Sequence, residues 1–235
     1  VASVLNGAGA PEPELTFVRG SMGGEGVTVI AGDGLAGEEG YEIVCGVDAA
    51  ERVFETLLTF GMNAVPFGYR TWEILTTEAG TPLFDTELDG RIPNVVGVRN
   101  ALDFEKGCYV GQEVVSKVEN RGRPSQRLVG LRLDGRDGDE GGALPDAGAP
   151  LVARRGGSDT DEAVGEVTRA VESPRLGRSI ALGFVDAGVA AEINDESGPS
   201  LVVRTADGTV EATVAPLPFV EGSAVSARLP SYPGE

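Results

Sequence analysis

The sequence predicts an α+β protein in which a mixed helix-and-strand region is followed by a small antiparallel β-barrel. Two features of the sequence carry this expectation. Up to about residue 126, extended runs alternate with amphipathic helical patterns that carry their own stop signals. Beyond Gln126 the helical pattern gives way to short β-rich runs at near-regular spacing, separated by Gly, Asp, Pro and Ser turns. The 235 residues suffice for two modest domains, placed at 1–126 and 127–235.

The first extended runs are Leu15 to Val18 and Val27 to Ile30, with Gly20 to Gly26 between them. A turn-rich stretch from Gly32 to Gly40 leads into Tyr41 to Cys45, a strand with Tyr41, Ile43 and Cys45 on one face and Glu42 and Val44 on the other. A helix then follows, with Asp48 as N-cap, Glu51 completing a capping box, and Val53, Phe54, Leu57 and Leu58 as its apolar stripe. Gly61 is its stop. A second helix covers Tyr69 to Ala79 and ends at Gly80 and Pro82. Val95 to Phe104 and Val110 to Val118 fit strand and helix equally. The barrel strands are Arg127 to Leu133, Leu151 to Ala153, Ala163 to Thr168, Ile180 to Val185, Leu201 to Arg204 and Thr209 to Val214, with Asp134 to Gly148 an acidic, Gly-rich loop.

Composition excludes several functions. Net charge is −18, from 37 acidic and 19 basic residues. Such a field repels nucleic acid and anionic membranes. Lys106 and Lys117 are the only lysines. Acid excess with so little lysine resembles proteins of salt-loving cytoplasms, where molar salt shortens the Debye length to about 3 Å and screens self-repulsion. No run approaches the roughly 20 apolar residues of a spanning helix, and no signal peptide opens the chain, so a cytoplasmic location is expected. The chain begins with Val1, and the stretch to Leu15 lacks periodicity, as if it started within a larger protein. Histidine is absent, which removes Ser-His-Asp and Cys-His nucleophiles and His-based metal sites. Cys45 and Cys108 form no CxxC pair, so neither a disulfide framework nor a metal site is expected.

Gly32 to Gly37 matches GxGxxG, but a dinucleotide site needs that loop to open into a helix whose amides hold pyrophosphate. Here it runs into Glu38 and Glu39 and then a strand, so a hairpin is expected.

The chemistry concentrates in Lys106-Gly107-Cys108-Tyr109-Val110-Gly111-Gln112-Glu113. Its glycines permit a tight backbone path. Lys106 is suited to raise the thiolate fraction of Cys108, and Gln112 can donate to and accept from a heteroaromatic edge. The alternative is a turn in which Cys108 is a buried small hydrophobe and Tyr109 packs.

This octapeptide resembles the K-G-C-[FY]-x-G-Q-E signature of the YgfZ branch of the glycine-cleavage T-protein superfamily. Gly34 to Ile43 is similar to the superfamily's G-[YF]-T-G-E-[DE]-G-[FY]-E-[IL] stretch, and Glu78 to Leu83 to its E-A-G-x-P-L stretch. Ala163 to Thr168, Ser173-Pro174, Leu176-Gly177 and Leu217 to Val220 look like its C-terminal domain. The resemblance implies a partial folate-binding T-protein-like domain, followed by the barrel, that binds tetrahydrofolate or a one-carbon derivative. Glu42 matches the glutamate that holds the pterin, and Arg70 an arginine that contacts folate. Lys106, Gly107, Cys108, Tyr109, Gly111, Gln112 and Glu113 carry the signature, with Cys108 the candidate functional thiol. T-proteins carry an acidic residue where Cys108 stands and a basic one at Gln112. The variant therefore implies a YgfZ-like protein that supports assembly or repair of iron–sulfur client proteins. The alternatives are an aminomethyltransferase acting with a lipoylated carrier protein, and an interaction domain that keeps the fold. The family's N-terminal portion has no counterpart here, so the chain is expected to be N-terminally truncated.

Overall fold

The computed structural model describes residues 1–12, 16–32, 34–98, 101–134, 144–155, 158–192, 200–206 and 208–220. They fall into two compact units, 1–72 and 73–220.

In the first unit, β1 (Phe17–Met22), β2 (Glu25–Ala31) and β3 (Tyr41–Cys45) form an antiparallel sheet in that order. Gly23 and Gly24 join β1 to β2 with φ of 58° and 86°. Two consecutive positive-φ residues make the tight turn that matches strand twist, and glycine adopts it without a Cβ penalty. That turn pairs Met22 with Glu25 and sets the register of the sheet. Val27 faces Cys45, Val29 faces Ile43 and Ala31 faces Tyr41 on one side. This inner face packs with Val4, Leu5, Met22 and Val53 into a core. The opening residues, which carry no periodic pattern, therefore contribute Val4 and Leu5 to packing, and Asn6 bridges to Ser21. Leu15, in the first expected strand, lies outside the described residues.

A 3₁₀ turn at Val47–Ala49 leads into α1 (Ala50–Phe60). The expected Asp48–Glu51 capping box does not form. Asp48 lies inside the 3₁₀ turn, Ala49 takes the N-cap position, and no side chain caps the helix. The preceding turn supplies the acceptor instead, since the Ala50 amide donates to Val47 O. The expected apolar stripe is also only half used: Val53 is buried and Leu57 joins its cluster, while Phe54 and Leu58 stay exposed. The Gly61 amide donates to Leu57 O, 2.9 Å away, and ends the helix as expected.

The GxGxxG stretch forms a turn, as expected. The Gly37 amide donates to Gly34 O and the Gly32 amide to Gly40 O, each at 2.7 Å, and the chain enters β3 rather than a helix. Asp33 lies outside the described residues.

α2 (Tyr69–Glu78) matches the second expected helix, and Gly80, at φ 68°, stops it. In the second unit a π-helical turn at Phe84–Leu88 precedes α3 (Pro93–Val96) and α4 (Gln112–Arg121), so both undecided segments contain helix. The barrel follows: β4 (Gln126–Asp134), β5 (Pro150–Arg155), β6 (Ser158–Ser173), β7 (Arg178–Asp186), β8 (Ser200–Thr205) and β9 (Gly208–Ala215), with α5 (Ala187–Glu192) after β7. The ring runs β4-β7-β6-β5-β8-β9 and closes where Leu131 of β4 faces Val214 of β9. All six expected β-runs are strands of this ring. The Asp134 to Gly148 loop falls mostly outside the described residues.

Alternate strand residues fill the barrel with Leu131, Leu133, Leu151, Val167, Val185 and Leu201. Each such burial contributes about 1.5–3 kcal/mol. A second cluster sets Val95 and Val96 of α3 against Leu128, Ile180, Leu182, Phe184 and Phe219. Among the described residues, one ion pair is deeply buried. Arg169 donates to Glu87 Oε1 at 3.0 Å, to Thr76 Oγ1 at 2.9 Å and to Thr81 O at 2.6 Å. Glu87 Oε2 accepts from the Leu83 amide and the Thr86 hydroxyl, so the carboxylate is fully partnered.

Candidate functional site

The register of the first sheet builds a small open platform. Phe17 faces Ile30, and Ile30 faces Glu42, so the three form one row across the sheet. Arg19, Thr28 and Val44 form the next row on the same side. Glu42 is exposed and Phe17 is 61% exposed, and this face lies opposite the one that carries the core. A carboxylate at the end of an apolar row suits a flat ring whose face lies on carbon and whose edge carries adjacent N–H donors. Arg70 is the second residue of α2 and is exposed, which leaves its guanidinium available to an anionic group. Phe17 and Ile30 are the residues that sequence reasoning missed. The Gly23-Gly24 turn was the available signal, because it fixes the pairing that places them beside Glu42.

The second unit carries the octapeptide, with Lys106 to Gly111 on the loop before α4 and Gln112 and Glu113 in its first turn. Asp103 Oδ1 accepts from the Glu105 and Lys106 amides at 2.9 and 3.2 Å and shapes the approach. Lys106 Nζ lies 4.9 Å from the Tyr109 ring centroid, so the ammonium stacks on the phenol. Gly111, at φ 87°, is the N-cap of α4. Gln112 Oε1 accepts from the Tyr109 amide at 3.3 Å, which folds the signature back on itself. Cys108 is exposed. The alternative of a buried small hydrophobe is therefore not what the structure shows.

Lys106, Tyr109, Gln112 and Glu113 line a concavity of about 500 Å³ together with Asp103, Phe104 and Ser116. Gly107, Cys108 and Gly111 are not among its lining residues. Phe104 and Asp103 are additions that the motif did not signal. Among the described residues no group of three or more His, Cys, Asp or Glu is arranged to hold a metal ion. None of the described helices is long and apolar enough to cross a membrane.

Comparison with known proteins bears on the family and the fold. Residues 126–221 match the glycine cleavage T-protein C-terminal barrel domain. The chain is 37% identical over 169 residues to the aminomethyltransferase of Streptomyces avermitilis, covering 69% of this chain and 42% of that protein. It is 32% identical over 201 residues to that of Thermosynechococcus vestitus, covering 85% and 50%. A probable aminomethyltransferase of Halobacterium salinarum is 31% identical over 210 residues, covering 87% and 52%. The chain thus spans about half the length of the curated relatives it matches. Its fold is similar to that of the crystal structure of the glycine cleavage system aminomethyltransferase T from Bartonella henselae, with a TM-score of 0.69 and 22% identity over 90% of this chain and 54% of that one.

Proposed function

The chain belongs to the glycine cleavage T-protein/folate-binding superfamily, and from that premise we propose that it binds tetrahydrofolate as part of an aminomethyltransferase. In this reading residues 1–126 contribute folate-binding surface and residues 127–235 the barrel. The observation that carries it is the Phe17–Ile30–Glu42 row, with Phe17 and Glu42 exposed and Ile30 half-buried between them. The Glu42 carboxylate accepts the N–H donors of the pterin edge, the two apolar side chains receive the ring face, and Arg70 takes the folate's anionic end. In the reaction the aminomethyl carbon leaves the sulfur of a lipoylated carrier and bonds two folate nitrogens. The two folate N–H bonds break in the exchange: one proton leaves with the departing ammonia and the other returns to the sulfur.

A second reading is the YgfZ-type accessory role, with iron–sulfur proteins as clients. Cys108 and Gln112 in the signature favour it, and so does the exposure of Cys108. The names of the relatives favour the transferase over it.

Titration with tetrahydrofolate in molar potassium chloride, followed by Trp72 fluorescence, tests folate binding. A saturable change that Glu42→Gln weakens at least tenfold is the expected result; no change would overturn both folate readings. Formation of methylene-tetrahydrofolate from an aminomethylated carrier then separates the two. The transferase reading expects Cys108→Ser to leave that formation intact. A thiol-dependent accessory role expects the same substitution to abolish support of iron–sulfur enzymes.

A further inference from the structure

The outer face of the first sheet is polarised along one diagonal. Its rows Phe17–Ile30–Glu42 and Arg19–Thr28–Val44 span all three strands and put an exposed residue at each corner. Phe17 and Val44 occupy one diagonal; the Glu42 carboxylate and the Arg19 guanidinium occupy the other. Strands lie about 4.8 Å apart and rise about 3.4 Å per residue, so Glu42 and Arg19, two strands and two residues apart, are separated by about 12 Å at Cα. Half-buried Ile30 and Thr28 fill the space between them. Arg19, Arg52 and Arg70 are the only basic residues in the first unit. Arg52 pairs with Glu25 at 3.1 Å, whereas among the described residues no hydrogen bond or ion pair engages the Arg19 side chain. A charge on an edge strand discourages pairing with another sheet, but that role does not call for a carboxylate at the opposite corner.

We propose, resting on the folate reading above, that Arg19 determines specificity at this platform: it pairs with a carboxylate on the ligand's tail and so selects pterins with an acidic tail over the bare ring. The charges set the direction in which the ligand lies. The N–H donors of the pterin edge meet Glu42 on β3, the ring and its linker cross Ile30, and the anionic end leaves over β1, where Arg19 stands beside Phe17. A glutamyl tail carries two carboxylates, so Arg19 takes one while Arg70 stays available to the other. Both charged corners are open to solvent, so Arg19 acts on the choice between ligands rather than on the stability of the fold.

Calorimetry on the whole chain in molar potassium chloride compares two probes: tetrahydrofolate, and tetrahydropterin, which has the ring and no tail. Arg19→Gln is expected to weaken tetrahydrofolate at least fivefold and leave tetrahydropterin unchanged, while Arg19→Lys keeps most of the tetrahydrofolate affinity. Glu42→Gln weakens both probes. The wild-type preference for tetrahydrofolate narrows as salt rises, and Arg19→Gln reduces that dependence. Arg52→Gln makes the same change of charge away from the platform and leaves both affinities as they were. If Arg19→Gln weakens both probes alike, or neither, while Glu42→Gln still weakens them, the assignment of Arg19 is overturned and the folate reading stands. If the wild-type chain binds neither probe, both fall together.

Discussion

Arg169 and Glu87 show how much a single pair can hold in this protein. Their side chains are 3% and 0% exposed, and the guanidinium also ties Thr76 and the Thr81 carbonyl to the barrel. Removing one partner strands a charge in a dry site, which costs about 3–5 kcal/mol. Arg169→Ala is expected to lower stability by that amount in urea denaturation, and Arg169→Met with Glu87→Leu to recover part of it. Glu42 is the opposite case. It is exposed and packs against nothing in the core, so Glu42→Ala is expected to leave the thermal midpoint within about a degree while abolishing tetrahydrofolate binding. Arg169 was not legible in the sequence for a physical reason. An arginine beyond Ala163 to Thr168 reads as a solvent-facing residue, but β6 runs on to Ser173, and the register shifts between Val167 and Arg169. That bulge re-aims the side chain inward. Glu42 was legible as a residue; the row it belongs to needed the register.

Among the elements, the barrel strands were the most legible, because turn residues bracket each run and β-branched residues fill it. α3 and α4 stayed undecided since Val95-Val96 and Val114-Val115 are short apolar runs, which strand and helix share. The Asp48 capping box was a sound local pattern that a 3₁₀ turn displaced. Strand pairing depends on backbone proximity at particular glycines. A Cβ at Gly165 would fall on the Phe184 carbonyl oxygen and lie 3.1 Å from Val185 Cα, both backbone atoms of the paired strand. Gly165→Ala is therefore expected to cost about 1–3 kcal/mol, with a matching fall in the denaturation midpoint. Gly148→Ala, which has open space but a φ of 83°, is expected to cost about 1 kcal/mol through backbone strain alone.

At the scale of the molecule, charge and topology set the behaviour. With a net charge of −18, self-repulsion opposes the compact state until salt screens it. The thermal midpoint is expected to rise by several degrees between dilute buffer and molar potassium chloride; a flat profile would show that the acidic excess is energetically idle. Ring closure has a consequence for how the protein is made. β4 pairs with β7 and with β9, the last strand of the ring, so its two hydrogen-bonding edges are satisfied only by segments synthesised well after it. On a translating ribosome the strand waits with Leu131 and Leu133 unshielded until residues 211–215 emerge. A chain arrested before Gly208 would thus be a substrate for a nascent-chain chaperone, and release of β9 would be the event that frees it.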